Sequence, residues 1–236
     1  MKKEICKEAN VMSFFNEIAG DYDNWYKTKI GSFADKVETR LAFDLFVPVQ
    51  GMRVLDVGCG TGNFSIKLAQ KGCKVTGIDI SEKMLHIARK KAKMAGLNIE
   101  FKKVDVYDLD FLDESFDAVF SMAAFEFIKE PKKAFDEMYR VLKTGGQLLI
   151  GTINKDSSWG RLYMEQAQKD PDSIFRFADF KTLIELENLD KKHLMKSGEC
   201  LFIPPDAPED KISQEEEKRL AKTERGGFIC ALWKKK

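Results

Sequence analysis

The sequence predicts an α/β domain in which an open, largely parallel sheet carries helices on both faces. Three observations lead there. From Met52 to Thr152 short apolar runs alternate with amphipathic stretches, the rhythm of strand and crossover helix. The first run, Val54-Leu55-Asp56-Val57, breaks into a glycine turn, Gly58-Cys59-Gly60-Thr61-Gly62, that lets the backbone approach a ligand. Acids stand at the carboxyl ends of three successive runs, at Asp56, Asp79 and Asp105, where open α/β sheets hold their ligands.

The chain divides into four parts of one expected domain, 1–236: a helical arm (1–50), a sheet core (51–153), a cap insert (154–192) and closing strands (193–236). The arm is aromatic, with Phe14, Phe15, Tyr22, Trp25, Tyr26 and Phe33. Val37, Leu41, Leu45 and Phe46 then recur at helical spacing until Pro48. After the glycine turn, Ser65–Gln70 reads as a helix whose free N–H groups face the ligand. Lys74–Ile80 is the second strand; Ser81 caps a helix over Glu82–Ala95, and Gly96 ends it. Ile99–Val104 and Phe116–Ser121 are the third and fourth strands. Pro131 opens a helix through Leu142, and Gly145-Gly146 turns into a fifth strand, Gln147–Thr152. The insert breaks the rhythm and carries Trp159, Tyr163, Phe175, Phe177 and Phe180. The last strands, Leu194–Ile203 and Gly226–Trp233, flank a charged helix, Ser213–Thr223. Its Glu215, Glu216, Glu217, Lys218 and Arg219 are expected to face solvent, and Lys234-Lys235-Lys236 to fray.

Composition excludes several classes. Lys and Arg number 39 against 38 Asp and Glu, a net charge of +1, so the broad basic footprint of a nucleic-acid binder is missing. The start, Met1-Lys2-Lys3-Glu4-Ile5-Cys6, lacks an apolar signal core, and no run approaches the length of a membrane span; a cytoplasmic location is expected. The five cysteines (Cys6, Cys59, Cys73, Cys200, Cys230) form no C-x-x-C pair or Cys/His cluster, so neither a metal site nor a disulfide framework is expected.

The glycine spacing narrows the ligand. A dinucleotide fingerprint reads G-x-G-x-x-G and seats a pyrophosphate on the helix N-terminus. Here the third glycine comes one residue early, at Gly62, and Asn63 stands where that fingerprint has glycine. Asp56, just before the turn, repels a pyrophosphate and attracts a cation. Asp79 can accept from both hydroxyls of a ribose, which suits NAD and other adenosine-bearing ligands alike. Asp105-Val106 can pair an adenine edge and cover the ring.

These residues resemble the D-x-G-x-G-x-G loop of class I S-adenosylmethionine-dependent methyltransferases. The resemblance runs from about Phe15 to Trp233 through Gly77-Ile78-Asp79-Ile80-Ser81-Glu82-Lys83-Met84-Leu85, Phe116-Asp117-Ala118-Val119 and Arg140-Val141-Leu142-Lys143-Thr144-Gly145-Gly146. It looks most like the small-molecule group that includes the ubiquinone and menaquinone biosynthesis enzymes. That implies a doubly wound, Rossmann-like, seven-stranded mixed sheet of order 3-2-1-4-5-7-6 with an antiparallel last strand. It implies S-adenosyl-L-methionine as cofactor, S-adenosyl-L-homocysteine as product, and a small, apolar or aromatic methyl acceptor, on a monomer or homodimer. Roles follow by resemblance: Gly58 and Gly60 admit the methionine part, Asp56 supports its ammonium, and Cys59 and Asn63 are counted among the cofactor-binding residues. Asp79 holds the ribose, Ile80 and Met84 flank the adenine, and Asp105 with Val106 fixes its edge. Ser121 and Met122 lie near the transferring methyl, and Tyr22 and Tyr26 close over the cofactor.

The chain also departs from the pattern. Phe127 stands where many relatives have histidine, and His86 and His193 lie elsewhere. Ser121-Met122-Ala123-Ala124 lacks the Asn/Asp-Pro-Pro-aromatic motif, which argues against methylation of DNA or glutamine. Glu126, Tyr22, Tyr26 and Tyr163 are left as candidates for a base. The rival readings are an NAD-dependent oxidoreductase, opposed by Asp56 and Asn63, and a non-catalytic S-adenosylmethionine-binding protein.

Overall fold

The structure is a computed structural model that describes residues 11–236. The first ten residues of the expected arm, Cys6 among them, lie outside the described residues. Helix α1 covers 11–18, and a 3-10 turn, Tyr22–Lys27, leads into α2 (Lys29–Leu45). Thr28 caps α2, accepting from Gly31 N at 3.0 Å and donating to Trp25 O at 2.7 Å. A Cβ at Gly31 would lie 2.1 Å from that carbonyl oxygen, so only glycine lets the turn fold back on the helix.

The strands are β1 (Arg53–Val57), β2 (Lys74–Asp79), β3 (Glu100–Lys103), β4 (Phe116–Met122), β5 (Leu142–Ile153), β6 (Leu194–Cys200) and β7 (Phe228–Lys234). They form one sheet in the order β3-β2-β1-β4-β5-β7-β6. The first five are parallel, and β7 runs antiparallel to both β5 and β6. The helices between are α3 (Asn63–Gln70), α4 (Glu82–Met94), α5 (Pro131–Val141), α6 (Ser158–Lys169), α7 (Leu183–Glu187) and α8 (Gln214–Leu220).

Val54, Leu55, Asp56 and Val57 are all buried because helices cover both sides of β1. On one face Phe33, Val37 and Ala42 of α2 and Leu68 of α3 pack on Val54, Val75 and Phe120. On the other, Phe135 and Met138 of α5 and Leu186 of α7 pack on Leu55, Val119 and Trp233. No helix joins β3 to β4. The connecting loop is pinned instead by the Arg140 guanidinium, which donates to Leu109 O and Phe111 O, both at 2.8 Å, and pairs with Asp113 at 2.7 Å and Glu137 at 2.9 Å.

Three expectations fail at the carboxyl end. The strand expected to reach Ile203 stops at Cys200, because Leu201 adopts a φ of 64° that breaks the ladder. Glu217, expected in solvent, is buried: its carboxylate accepts from Leu201 N (2.6 Å), Phe202 N (2.9 Å) and Ile203 N (3.1 Å). The chain that leaves the sheet therefore finds its acceptors on one side chain of α8. Nor does Lys235 fray: its N–H donates to Gly146 O at 3.0 Å and its ammonium to Leu142 O at 2.7 Å.

Removing the Glu217 carboxylate orphans three N–H groups. Glu217→Ala is expected to lower stability by about 3 kcal/mol in chemical denaturation, while Glu215→Ala, on the exposed face, stays within about 0.5 kcal/mol.

Candidate functional site

β1 and β4 are neighbours whose connections leave in opposite directions, so a crevice opens beyond their carboxyl ends. The glycine turn lines it. Gly58 (φ 69°) must be glycine twice over, since a Cβ there would also sit 2.5 Å from the Ala124 Cβ. Gly62 (φ 80°) caps α3 in the left-handed conformation, and a Cβ on Gly60 would point into open space. Asp79 fixes the turn from the next strand: Oδ2 accepts from Gly60 N at 2.9 Å and Oδ1 from Ser81 N at 2.8 Å. Burial pushes its carboxyl above the ordinary value against these donors.

The crevice encloses a cavity of about 390 Å³. Eight residues singled out from the sequence line it: Tyr22, Gly58, Gly60, Asp79, Ile80, Met84, Asp105 and Val106. Sequence reasoning missed Val11 and Met12 of α1 and Ile128 beyond β4; Phe15 it noted only as an arm aromatic, and Phe127 only as standing in place of a histidine. Val11 and Phe15 lie four apart, so a helical period was there to be read. Phe15 meets Phe127 edge to face with centroids 5.2 Å apart, which roofs the cavity.

Two polar latches hold the arm down. Asn16 Oδ1 accepts from Ser81 Oγ at 2.8 Å, tying α1 to the start of α4. Asp23 accepts from Thr61 Oγ1 (2.7 Å), Asn63 Nδ2 (3.3 Å) and Lys91 Nζ (2.6 Å), bolting the 3-10 turn to the glycine turn. Burial opposes the Asp23 charge, yet Lys91, Thr61 and Asn63 hold its carboxyl below the ordinary value.

A second, smaller space of about 40 Å³ lies against the turn, lined among others by Tyr22, Tyr26, Asp56, Cys59, Asn63, Met122 and Glu38. Asp56 is buried and accepts from Ser65 Oγ at 2.5 Å; desolvation lifts it to about 6. The Cys59 thiol is buried and pushed well up by desolvation, a small packed group and not a nucleophile. Glu38 was missed, although it stands four residues from both Ala34 and Ala42 on the buried stripe of α2.

The remaining candidates line neither space, though Glu126 and Tyr163 are within electrostatic reach of Tyr22, which lines both. Ser121 is fully buried and shares its β4 face with Val119, toward α5. Its hydroxyl has no hydrogen-bond partner among the described residues. Glu126 is buried, accepts from Thr152 Oγ1 at 2.8 Å, and is lifted by desolvation to about 7. Tyr163 stacks on Phe175 with centroids 4.0 Å apart. Desolvation raises all three phenols, Tyr22 to about 12. His193 pairs with Asp190 at 2.6 Å. Among the described residues no helix is long and apolar enough to cross a membrane, and no cluster of three His, Cys, Asp or Glu could hold a metal.

Residues 55–150 match the family described as a methyltransferase domain. The chain is 34% identical over 195 residues to an uncharacterized protein of Methanocaldococcus jannaschii, covering 81% of this chain and 86% of that one. With a demethylmenaquinone methyltransferase of Clavibacter sepedonicus it shares 37% identity over 152 residues, 64% of this chain and 61% of that enzyme's length. A crystal structure of a SAM-dependent methyltransferase from Thermotoga maritima aligns at a TM-score of 0.72 and 25% identity, over 95% of this chain and 99% of that one. The chain therefore belongs to the class I S-adenosylmethionine-dependent methyltransferases.

Proposed function

We propose that this enzyme methylates a small, apolar or aromatic acceptor admitted beneath the arm. The observation that carries the reading is the roof: Val11, Met12, Phe15, Phe127 and Ile128 are apolar and overhang a crevice whose floor bears the carboxylates. The relative named for demethylmenaquinone supports a quinone-like acceptor.

The crevice fits the cofactor. Asp79 gives one lone pair of each oxygen to a backbone N–H, and the carboxylate has about two more to accept from ribose hydroxyls. Ile80, Met84 and Val106 offer apolar walls to the purine and Asp105 an acceptor for its amino group. The turn at Gly58–Gly60 leaves room for the methionine part, with Asp56, Cys59, Asn63 and Met122 beside it and Tyr22 and Tyr26 above. Ser121 faces away and is given no contact. S-adenosylmethionine supplies a methyl group already activated on a sulfonium. The chain's work is to orient the acceptor in line with that methyl and to keep water out. Because burial keeps the phenols of Tyr22, Tyr26 and Tyr163 protonated, Glu126 is the candidate whose titration suits a base near neutral pH. The arm serves as the lid, released when Asp23 and Asn16 let go.

Calorimetry should show S-adenosylhomocysteine binding and NAD binding weakly or not at all. Asp79→Ala should cost about 1.5–3 kcal/mol of that affinity, the range for hydrogen bonds to a charged group. Tight NAD binding would return the assignment to the oxidoreductases, and no turnover with any acceptor would favour the non-catalytic reading. With an acceptor found by a labelled-methyl screen of quinols and phenols, kcat/KM should rise with pH through about 7 as Glu126 ionises. Glu126→Gln should flatten that limb; a limb unchanged in the variant removes Glu126 as base. Hydrogen exchange should find 11–27 protected once S-adenosylhomocysteine is bound, and Asp23→Asn should speed exchange there in the free protein. Equal protection with and without ligand would make the arm a fixed layer.

A further inference from the structure

Between α2 and the glycine turn, the space of about 40 Å³ is bounded by Glu38, Asp56, Gly58, Tyr22, Tyr26 and Met122. Glu38 enters it from α2. The residue is nine-tenths buried, at 9% exposure, and burial and neighbouring charges act on its carboxyl with no hydrogen bond among them. A carboxyl taken from water without a partner is costly, and folds retain such groups where a ligand completes them.

The charges around Glu38 do not complete it. Within electrostatic reach are the Tyr22 and Tyr26 phenols of the arm, Asp35 on α2 and Lys67 on α3. Asp56 on β1, Glu126 beyond β4, Tyr163 on α6 and the thiols of Cys200 on β6 and Cys230 on β7 complete the set. Lys67 is the one cation among the described residues of this set, and it is bound to Asp35 and to Thr39 Oγ1 at 2.7 Å. Desolvation first, then the Asp35 carboxylate, lift Glu38 to about 8. A space of this size holds one water-sized group and not a ring. A cation there would meet a carboxylate it can hydrogen-bond and the faces or hydroxyls of two phenols.

We propose that Glu38 is the counter-charge for an alkylammonium group seated between α2 and the glycine turn. Two ligands of the reaction can present that group: the amino-acid end of the cofactor, and the nitrogen of an amine acceptor. The inference rests on the reading of the crevice as the cofactor site. The glycine turn that lines the same space favours the cofactor's own amine.

The test is calorimetry on the full chain and on Glu38→Gln. The probes are S-adenosylhomocysteine, 5′-methylthioadenosine, which lacks the amino-acid end, and 2-phenylethylamine against its neutral match 2-phenylethanol on the S-adenosylhomocysteine complex. If the ammonium is the cofactor's, the variant binds S-adenosylhomocysteine about tenfold or more weakly and 5′-methylthioadenosine as the native chain does. If it is the acceptor's, both nucleosides bind the variant normally and only 2-phenylethylamine is lost. In either case the native chain releases a proton at pH 7 as Glu38 ionises on binding, read as heat that varies with the buffer's ionisation enthalpy, and the variant does not. Normal 5′-methylthioadenosine binding shows that the variant is folded. Unchanged S-adenosylhomocysteine affinity without any Glu38-dependent amine binding overturns the proposal. Failure of the native chain to bind either nucleoside overturns the cofactor reading, and the proposal with it.

Discussion

The Asp79 carboxylate is the joint on which the site turns. One oxygen holds the glycine turn at Gly60, and the other holds the start of α4 at Ser81. Ser81 in turn caps α4 and donates to Asn16 of α1. One half-buried acid thus sets the spacing between loop, helix and arm before any ligand arrives. Its raised pKa is the cost of that placement: desolvation opposes the charge, and fixed backbone dipoles offset part of it.

The arm is divided: residues 11–27 belong to the site, while α2 packs on the sheet. Phe15 and Tyr22 line the cavity, Asp23 reaches the glycine turn directly, and Asn16 reaches the start of α4. Asp23 is held by three donors, one each from the glycine turn, α3 and α4, so the seat of the 3-10 turn is defined by charge and geometry together. Such a contact can be exchanged for water more readily than a packed apolar face, which is what a part that opens requires.

Much of this was legible in the sequence because it is local. The turn after β1 needs glycines at 58 and 62 whatever surrounds them, and Ser81 announces α4 with its own side chain. Strand-end acids could be counted from the alternation alone. What escaped depends on residues far apart in the chain. Glu217 belongs to a run of charges that periodicity assigns to solvent, yet it serves the backbone of Leu201–Ile203. The hold of Arg140 on the β3–β4 loop replaces a helix that the strand rhythm would have supplied. Glu38 could have been found as a carboxylate on an apolar stripe, but only the fold shows that the stripe there faces the glycine turn.

The place of β7 has a consequence for how the chain is made. It lies between β5 and β6, and its residues from Phe228 to Trp233 are buried on both faces. Gln147 pairs with Lys234, so the ladder that completes the hydrophobic interior joins segments far apart in sequence. During synthesis β5 must wait with one edge unpaired until the last of the seven strands emerges. An exposed parallel edge is sticky, and contacts of such separation form slowly. Folding of this domain is therefore finished only once β7 has been made, and until then the β5 edge stays open to misplaced pairing.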